Sequence, residues 1–401
     1  MSGARIYLDN AATSWPKCKP AVEAAVDFIN NCGATSGRGT YTSGQLADRW
    51  LSRARLALSQ LIGADNANCI AMCSSGTHAL NAALRGVLKA GDHVIATRAE
   101  HNSVLRPLEW LKHHGDITVD YAEVDGCGRP QIASAAGLAS DATRLICVGH
   151  ASNVTGAVTD LQPWQELASQ CSAKLLVDAS QTLGYQSINV KDSSIDLLCA
   201  AGHKGLGGLQ GTGFLYATEE IRIDFTPLML GGTGLRSESI APVQPWPNVV
   251  EAGNLNLPGI VSMAVAAETL LRDQTRIGCW RDAFTQLVSN TQNTPGLNLV
   301  GWADEIASDH LLPESLDQRI PVASYHVVHS SPHDLAAILN DFHGIEVRAG
   351  LHCAGLIHPS IGGGTSGTDS GTLRVSPGHH TTSDEIDRFT LAINEITTAI
   401  A

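Results

Sequence analysis

The chain has 401 residues, of which 43% are apolar and 16% charged, a composition that folds into globular domains and excludes a disordered chain. Its 26 basic and 39 acidic residues leave a formal charge of −13, which works against non-specific binding to nucleic acid or to anionic lipid. No apolar run reaches the roughly 18–20 residues of a membrane span. The N-terminus has no apolar signal core, and the ten cysteines form no C-x-x-C pair, so a reducing cytoplasm is the expected setting.

From the N-terminus, Leu46, Trp50, Ala54, Leu58 and Leu61 recur at helical spacing and predict a helix over 46–63, closed by Gly63. Strand-like CIAM (69–72) follows, then a helix opening at SSGTHALNAAL and strand HVIAT (93–97). A helix through SVLRPLEWLKHH precedes strands ITVDYA (117–122) and RLICVG (144–149). A helix near 161–170 leads to strands KLLVDA (174–179), IDLLCA (195–200) and GFLYA (213–217). This alternation predicts an α/β architecture with a mostly parallel sheet and helical crossovers.

The pattern changes after about residue 260. One helical stretch is expected over 258–292 and a strand over PVASYHVV (321–328). Ser331-Pro332 caps a helix that ends at Gly344. A capping box, Thr382 to Glu385, starts the last helix, with Ile386, Phe389, Ile393, Ile396 and Ile400 on one face. The expectation for this region is a smaller α+β domain.

Several motifs carry little. Gly362-x-Gly364-x-x-Gly367 matches a dinucleotide-binding pattern but follows no strand and opens no helix, so it reads as a glycine loop. The pairs His113-His114 and His379-His380 lack partners at metal spacing and read as surface histidines, with no metal expected. Cys147 and Cys199 sit in apolar runs and read as small buried residues.

The informative features fall at strand ends. Asp178 closes the apolar strand LLVD, where a bare carboxylate is costly without a partner. Lys204 follows the next apolar strand, with His203 beside it. A buried aspartate suits a pyridinium N–H, and a lysine amine suits the aldehyde of pyridoxal phosphate. Ser75-Gly76-Thr77 at a helix start offers backbone N–H groups, a hydroxyl and the helix dipole to a phosphate. In this order they favour a pyridoxal-phosphate enzyme.

YLDNAAT (7–13), SSGTHALN (74–81), EHNSVLRP (100–107), HASNVTG (150–156), VDASQT (177–182), GHKGLGGLQGTG (202–213) and RAGLHCA (348–354) resemble the class V aminotransferase superfamily, over nearly the whole chain. The likeness is strongest to its cysteine desulfurase branch. It implies the fold-type-I architecture of pyridoxal-phosphate enzymes and a homodimer with two sites at the interface. A large cofactor domain is expected over 16–260, and a small α+β domain over 1–15 and 261–401. By the resemblance, Lys204 is the Schiff-base lysine, Asp178 the partner of the pyridine nitrogen, and His101 the imidazole stacked on the ring. Asn153 and Gln181 match the partners of the ring's phenolic oxygen, with Asn153 also near substrate. Gly76, Thr77 and His203 match the phosphate site. Arg374, in GTLRVS, matches the guanidinium that grips the substrate carboxylate, with Arg348 on the same substrate side.

Cys353 matches the nucleophilic cysteine in the R-x-G-x-H-C-A arrangement of the branch holding SufS-like desulfurases and selenocysteine lyases. Arg348 and His352 are expected to favour its thiolate. There are two departures. Ala201 stands where many relatives have a serine, and Glu251-Ala252-Gly253-Asn254 where relatives read E-A-G-T, so Asn254 replaces a threonine that reaches the neighbouring subunit's phosphate. The implied activity is removal of sulfur from L-cysteine, giving alanine and a persulfide on Cys353, with a sulfur-acceptor protein as a partner. A selenocysteine lyase, another cysteine-type C–S lyase and a class V transaminase stand as alternatives. A catalytically silent binding scaffold is the reading that the joint presence of Lys204, Asp178 and Cys353 argues against.

Overall fold

The computed structural model describes residues 5–37, 39–232, 240–241, 245–302, 316–328, 330–362 and 371–400. The positions of Gly364 and Gly367, and most of the glycine run, lie outside the described residues. In chain order the elements begin with β1 (Ile6–Tyr7), α1 (Lys19–Asn31), α2 (Thr42–Leu61), β2 (Ile70–Cys73), α3 (Gly76–Val87), β3 (His93–Thr97) and α4 (Asn102–His114). They continue with β4 (Thr118–Ala122), α5 (Ile132–Leu138), β5 (Thr143–Gly149), α6 (Gln162–Gln170), β6 (Lys174–Asp178), β7 (Leu197–Ala201), β8 (Gly213–Ala217), α7 (Glu219–Ile223) and α8 (Leu257–Arg272). The remainder are α9 (Arg281–Thr291), β9 (Leu297–Leu299), β10 (Ala323–Val327), α10 (Pro332–His343), β11 (Ile345–Glu346), β12 (Arg348–Gly350), β13 (Thr372–Val375) and α11 (Ser383–Ile400).

Seven strands form one sheet in the order β2-β8-β7-β6-β5-β3-β4. Its central pairs are parallel, and β8 is antiparallel to both of its neighbours, β2 and β7. All strands except β8 therefore point the same way and deliver their carboxyl ends to one edge. The continuous apolar runs follow from burial on both faces. On β6, Leu175 and Val177 enter one core while Leu176 enters the other. On β7, Leu198 and Ala200 oppose Leu197 and Cys199 in the same way. Cys147 and Cys199 are both fully buried.

A second, antiparallel sheet has the order β12-β13-β10-β9, and β1 pairs with β11. Trp280, Phe284, Tyr325, Leu339 and Phe389 pack in its separate core. Gly344 closes α10 in the left-handed conformation, φ 65°, that its position after the last turn predicts. The capping box is formed: the Glu385 carboxylate accepts from the Thr382 N–H at 2.8 Å, and the Thr382 hydroxyl accepts from the Glu385 N–H at 3.3 Å.

Two expectations are corrected. The single helix over 258–292 is broken between α8 and α9, because Met263 and Leu270 belong to the core of the large sheet while Trp280 and Phe284 belong to the second core. A short 3-10 turn over Gln274–Ile277 changes the direction. His379 is not a plain surface histidine: its Nε2 donates to the Gly205 carbonyl at 3.0 Å, and its ring lies 4.8 Å from that of Tyr185. No helix among the described residues is long and apolar enough to cross a membrane. Among the described residues no group of three or more His, Cys, Asp or Glu side chains is placed to hold a metal.

Candidate active site

The common edge of the parallel strands opens into a cavity of about 250 Å³. Ligands of open α/β sheets bind at such carboxyl ends. The chain segments that follow β2, β3, β5 and β7 bring Thr77, His101, Asn153 and Lys204 to its wall, Asp178 ends β6, and β12, the turn after it and β13 add Arg348, Cys353 and Arg374. Gly76, Gln181 and His203 complete the expected set. Asn254 does not: it is exposed and lies outside this cavity's lining.

At the start of α3, the Ser75 hydroxyl accepts from the His78 N–H at 3.0 Å and caps the helix. The first turn, with Gly76 and Thr77, lines the cavity, and a helix N-terminus favours an anion. A Cβ on Gly76 would sit 2.7 Å from the Ser180 Oγ, so only glycine leaves this cradle open. That Ser180 hydroxyl is buried and has no partner, an orphan that a bound oxyanion would satisfy. Sequence reading missed it, although it stands within VDASQT, and it offers a hydroxyl beside the methyl of Ala201. Gly76→Ala is expected to weaken binding of a phosphate-bearing cofactor roughly tenfold, the equivalent of about 1.4 kcal/mol of overpacking. Equilibrium titration of cofactor-free protein checks this.

His101 is the N-cap of α4. Its Nδ1 accepts from the Ser103 N–H at 3.0 Å, so the neutral ring carries its proton on Nε2. Burial, reinforced by the nearby Lys204 cation, holds it below the ordinary histidine value. His203 is pulled down to about 4 by burial, then by Lys204 and Lys17, and is neutral near pH 7. Lys204 is itself pulled down to about 8 by burial, with Arg374 adding to the fall and Asp178 opposing it. An amine with this value is partly deprotonated just above neutrality, where an ordinary lysine is almost wholly protonated, and that fraction can act as a nucleophile or base.

Asp178 accepts the Ser180 N–H on Oδ1 at 2.9 Å, which fixes the carboxylate at the strand end. Gln181 donates to the Ala11 carbonyl at 3.0 Å. Glu100, also missed from sequence, is buried and accepts from the Thr97 hydroxyl at 2.7 Å and the Gly149 N–H at 2.9 Å. Burial pushes it up to about 8, so it is mostly neutral at pH 7.

On the opposite wall, Arg348 and Arg374 face each other in register across β12 and β13. Asp9 lies between them, 2.8 Å from Arg374 Nη2 and 3.7 Å from Arg348 Nη1. Two guanidiniums share one carboxylate, which leaves one positive charge in excess. Arg374 also donates to the Asn153 carbonyl at 3.0 Å, is only 2% exposed, and leaves its Nε without a partner. The arrangement suits one further carboxylate. No sequence signal relates Asp9 to arginines more than 300 residues away.

Cys353 is exposed at the cavity and has φ 58°, following His352 at φ 52°. Left-handed non-glycine residues cost on the order of 1–3 kcal/mol each and persist where the surroundings over-determine them. The Asn153 amide donates to the His352 carbonyl at 2.6 Å, and the Asn102 N–H donates to the Cys353 carbonyl at 2.7 Å. The expected electrostatic help from His352 is corrected. Its buried ring lies well below the ordinary histidine value through burial and the nearby Arg374, so it is neutral and brings no positive charge to the thiol.

Residues 6–389 match the family described as aminotransferase class-V. The chain belongs to the class-V aminotransferase family. It is 30% identical to a probable cysteine desulfurase of Methanothermobacter thermautotrophicus, over 98% of this chain and 94% of that protein. It is 32% identical to a putative cysteine desulfurase of Bacillus subtilis, over 95% and 96% of the two chains. The solved apo cysteine desulfurase of Thermococcus onnurineus superposes with a TM-score of 0.85 at 28% identity, covering 98% of this chain and 95% of that one. Class-V enzymes work with pyridoxal phosphate. The residues here fit that group: a phosphate cradle with an orphan hydroxyl at Ser180, a carboxylate at Asp178 for the ring nitrogen, and the Lys204 amine.

Proposed function

We propose that this class-V enzyme is a cysteine desulfurase, acting on L-cysteine to give L-alanine and a persulfide on Cys353. The observation that carries the reading is the presence of the Cys353 thiol in the same cavity as Lys204, Asp178 and the Arg348–Arg374 pair. A transaminase has no use for that thiol. Gly76, Thr77, Ser180 and His203 would hold the cofactor's phosphate, His101 its ring face, Asn153 and Gln181 its phenolic oxygen. Bound there, pyridoxal phosphate supplies an electron sink for the substrate's α-carbon.

The protein's own groups do the rest. Arg374, its Nε free, receives the substrate carboxylate, with Arg348 beside it and Asp9 holding both guanidiniums in place. The Lys204 amine takes the α-proton, a task suited to a base whose value lies near 8. The Cys353 thiolate then forms an S–S bond to the substrate sulfur as the C–S bond breaks. The electron pair of that bond stays with carbon, which is protonated and leaves as alanine. A reductant or an acceptor thiol later removes the terminal sulfur and restores the Cys353 thiol.

We read the chain as two domains, as the separate cores of the two sheets support, with the boundary moved from 260 to beyond α8, because Met263 and Leu270 pack in the core of the large sheet: 16–272, and 1–15 with the remainder. A homodimer, a sulfur-acceptor protein and a cytoplasmic setting complete the proposal; the exposed position of Asn254 supports a role toward a second subunit.

The test is to supply L-cysteine, L-selenocysteine and L-cysteine sulfinate separately, and to measure alanine and sulfide or its counterpart with and without reductant. Alanine from L-cysteine, with sulfide dependent on reductant, is expected. Turnover confined to selenocysteine, or accumulation of a keto acid, replaces the assignment with a selenocysteine lyase or a transaminase. Asp178→Asn is expected to keep the fold while lowering alanine formation on the order of 10²-fold, since a neutral amide no longer stabilises a protonated ring nitrogen. Near-wild-type turnover with cofactor bound contradicts that role.

A further inference from the structure

His352 and Cys353 are the one consecutive pair of non-glycine residues with positive φ among the described residues. Two of the bonds that hold this turn come from Asn153 and Asn102, both beside the cofactor-facing wall. A third comes from elsewhere. The His352 Nε2 donates to both the carbonyl of Thr372, at 3.1 Å, and its hydroxyl, at 2.9 Å. Thr372 is fully buried on β13 and stands opposite Gly350 on β12. It lies two residues before Arg374, on the same face of that strand.

We propose that His352 is a positioning residue for Cys353, bolted to Thr372 so that the thiol and the arginine receiving the substrate carboxylate are carried by one strand. This rests on the desulfurase reading of the site. The carboxylate and the sulfur of the substrate lie at the two ends of a short, stiff framework. A nucleophile aimed at the sulfur must therefore be held at a set distance from the carboxylate clamp. β13 supplies that reference: Arg374 clamps one end directly, and Thr372 sets the other through the imidazole and the left-handed turn. The imidazole acts as a neutral strut. Its Nε2 proton is committed to an acceptor that never gives it up, the Thr372 carbonyl, and it sits buried where a charge is costly.

The test compares Thr372→Val and His352→Asn, which remove the hydroxyl or shorten the strut, with Thr372→Ser and His352→Gln, which keep a hydroxyl or an N–H at the same reach. For each, kcat and KM for L-cysteine, the visible absorbance of bound cofactor, and the pH profile of Cys353 alkylation by iodoacetamide are measured. His352→Asn is expected to lose about 10²-fold in kcat, the loss that a nucleophile misplaced by about 1 Å produces, and Thr372→Val, which keeps the main-chain acceptor, about tenfold, the scale of one lost hydrogen bond, with KM and cofactor absorbance unchanged in both. The conservative pair recovers most of that loss, and the alkylation midpoint stays where it is in all four. Should valine at 372 fail to fold, Thr372→Ala carries the same comparison. Full kcat in the folded disruptive variants overturns the proposal. So does a shifted alkylation midpoint in His352→Gln, which would make the ring a base toward the thiol. A wild type that forms no alanine from L-cysteine defeats the desulfurase reading instead.

Discussion

Lys204→Ala is expected to abolish covalent attachment of pyridoxal phosphate and to lower alanine production by on the order of 10³-fold, the scale on which a positioned general base counts. The side chain stands at the carboxyl end of β7, one strand from Asp178 at the end of β6. Only the neutral amine adds to an aldehyde. Because burial brings Lys204 down to about 8, the rate at which cofactor-free wild type takes up pyridoxal phosphate should climb as pH rises through about 8. An ordinary lysine would place that climb two or more units higher. The alanine variant should bind the cofactor non-covalently and show no such dependence. Cofactor absorbance that resists dialysis from the variant as it does from wild type would show attachment elsewhere and remove Lys204 from its role.

Much of this site was legible because parallel strands buried on both faces announce themselves as short apolar runs, and the residue after each run is forced to one edge. HVIAT and GFLYA coincide with β3 and β8, and the runs around Asp178 and Lys204 place those residues at neighbouring strand ends. Local capping chemistry was equally readable, at Thr382–Glu385 and at Gly344. What escaped depends on contacts distant in sequence. Asp9 bridges two arginines more than 300 residues away, and no local pattern encodes that pairing. α1 buries mainly Ala21, Ala25 and Phe28, a stripe too weakly apolar to stand out as a period. The break between α8 and α9 follows from which core each helix serves, and the polar run from Arg272 to Arg276 is its one mark in the sequence. The neutral state of His352 depends on burial and on the nearby Arg374, so its sequence neighbour Cys353 wrongly suggested an electrostatic role.

Cys353→Ser separates the desulfurase from a thiol-independent enzyme. The segment RAGLHCA ends β12 and turns through two left-handed residues, leaving the sulfur exposed at the cavity mouth while its backbone is held by Asn153 and Asn102. Serine keeps this geometry and a hydroxyl at nearly the same place. A hydroxyl is a far poorer nucleophile toward sulfur, because it does not ionise near neutral pH and its oxygen is hard where the target is soft. The variant should therefore bind pyridoxal phosphate and L-cysteine as wild type does, yet lose alanine formation by on the order of 10³-fold or more, the scale of an essential nucleophile. Mass spectrometry of wild type after brief exposure to L-cysteine should show one added sulfur on the peptide containing Cys353, absent after reductant. Release from L-selenocysteine should survive the mutation in part, since the C–Se bond breaks more readily than C–S and needs less help from an attacking thiolate. Undiminished alanine from L-cysteine in the serine variant, with no sulfur added to wild type, would reject the persulfide and move the enzyme to a lyase or transaminase that uses Lys204 and the arginine pair alone.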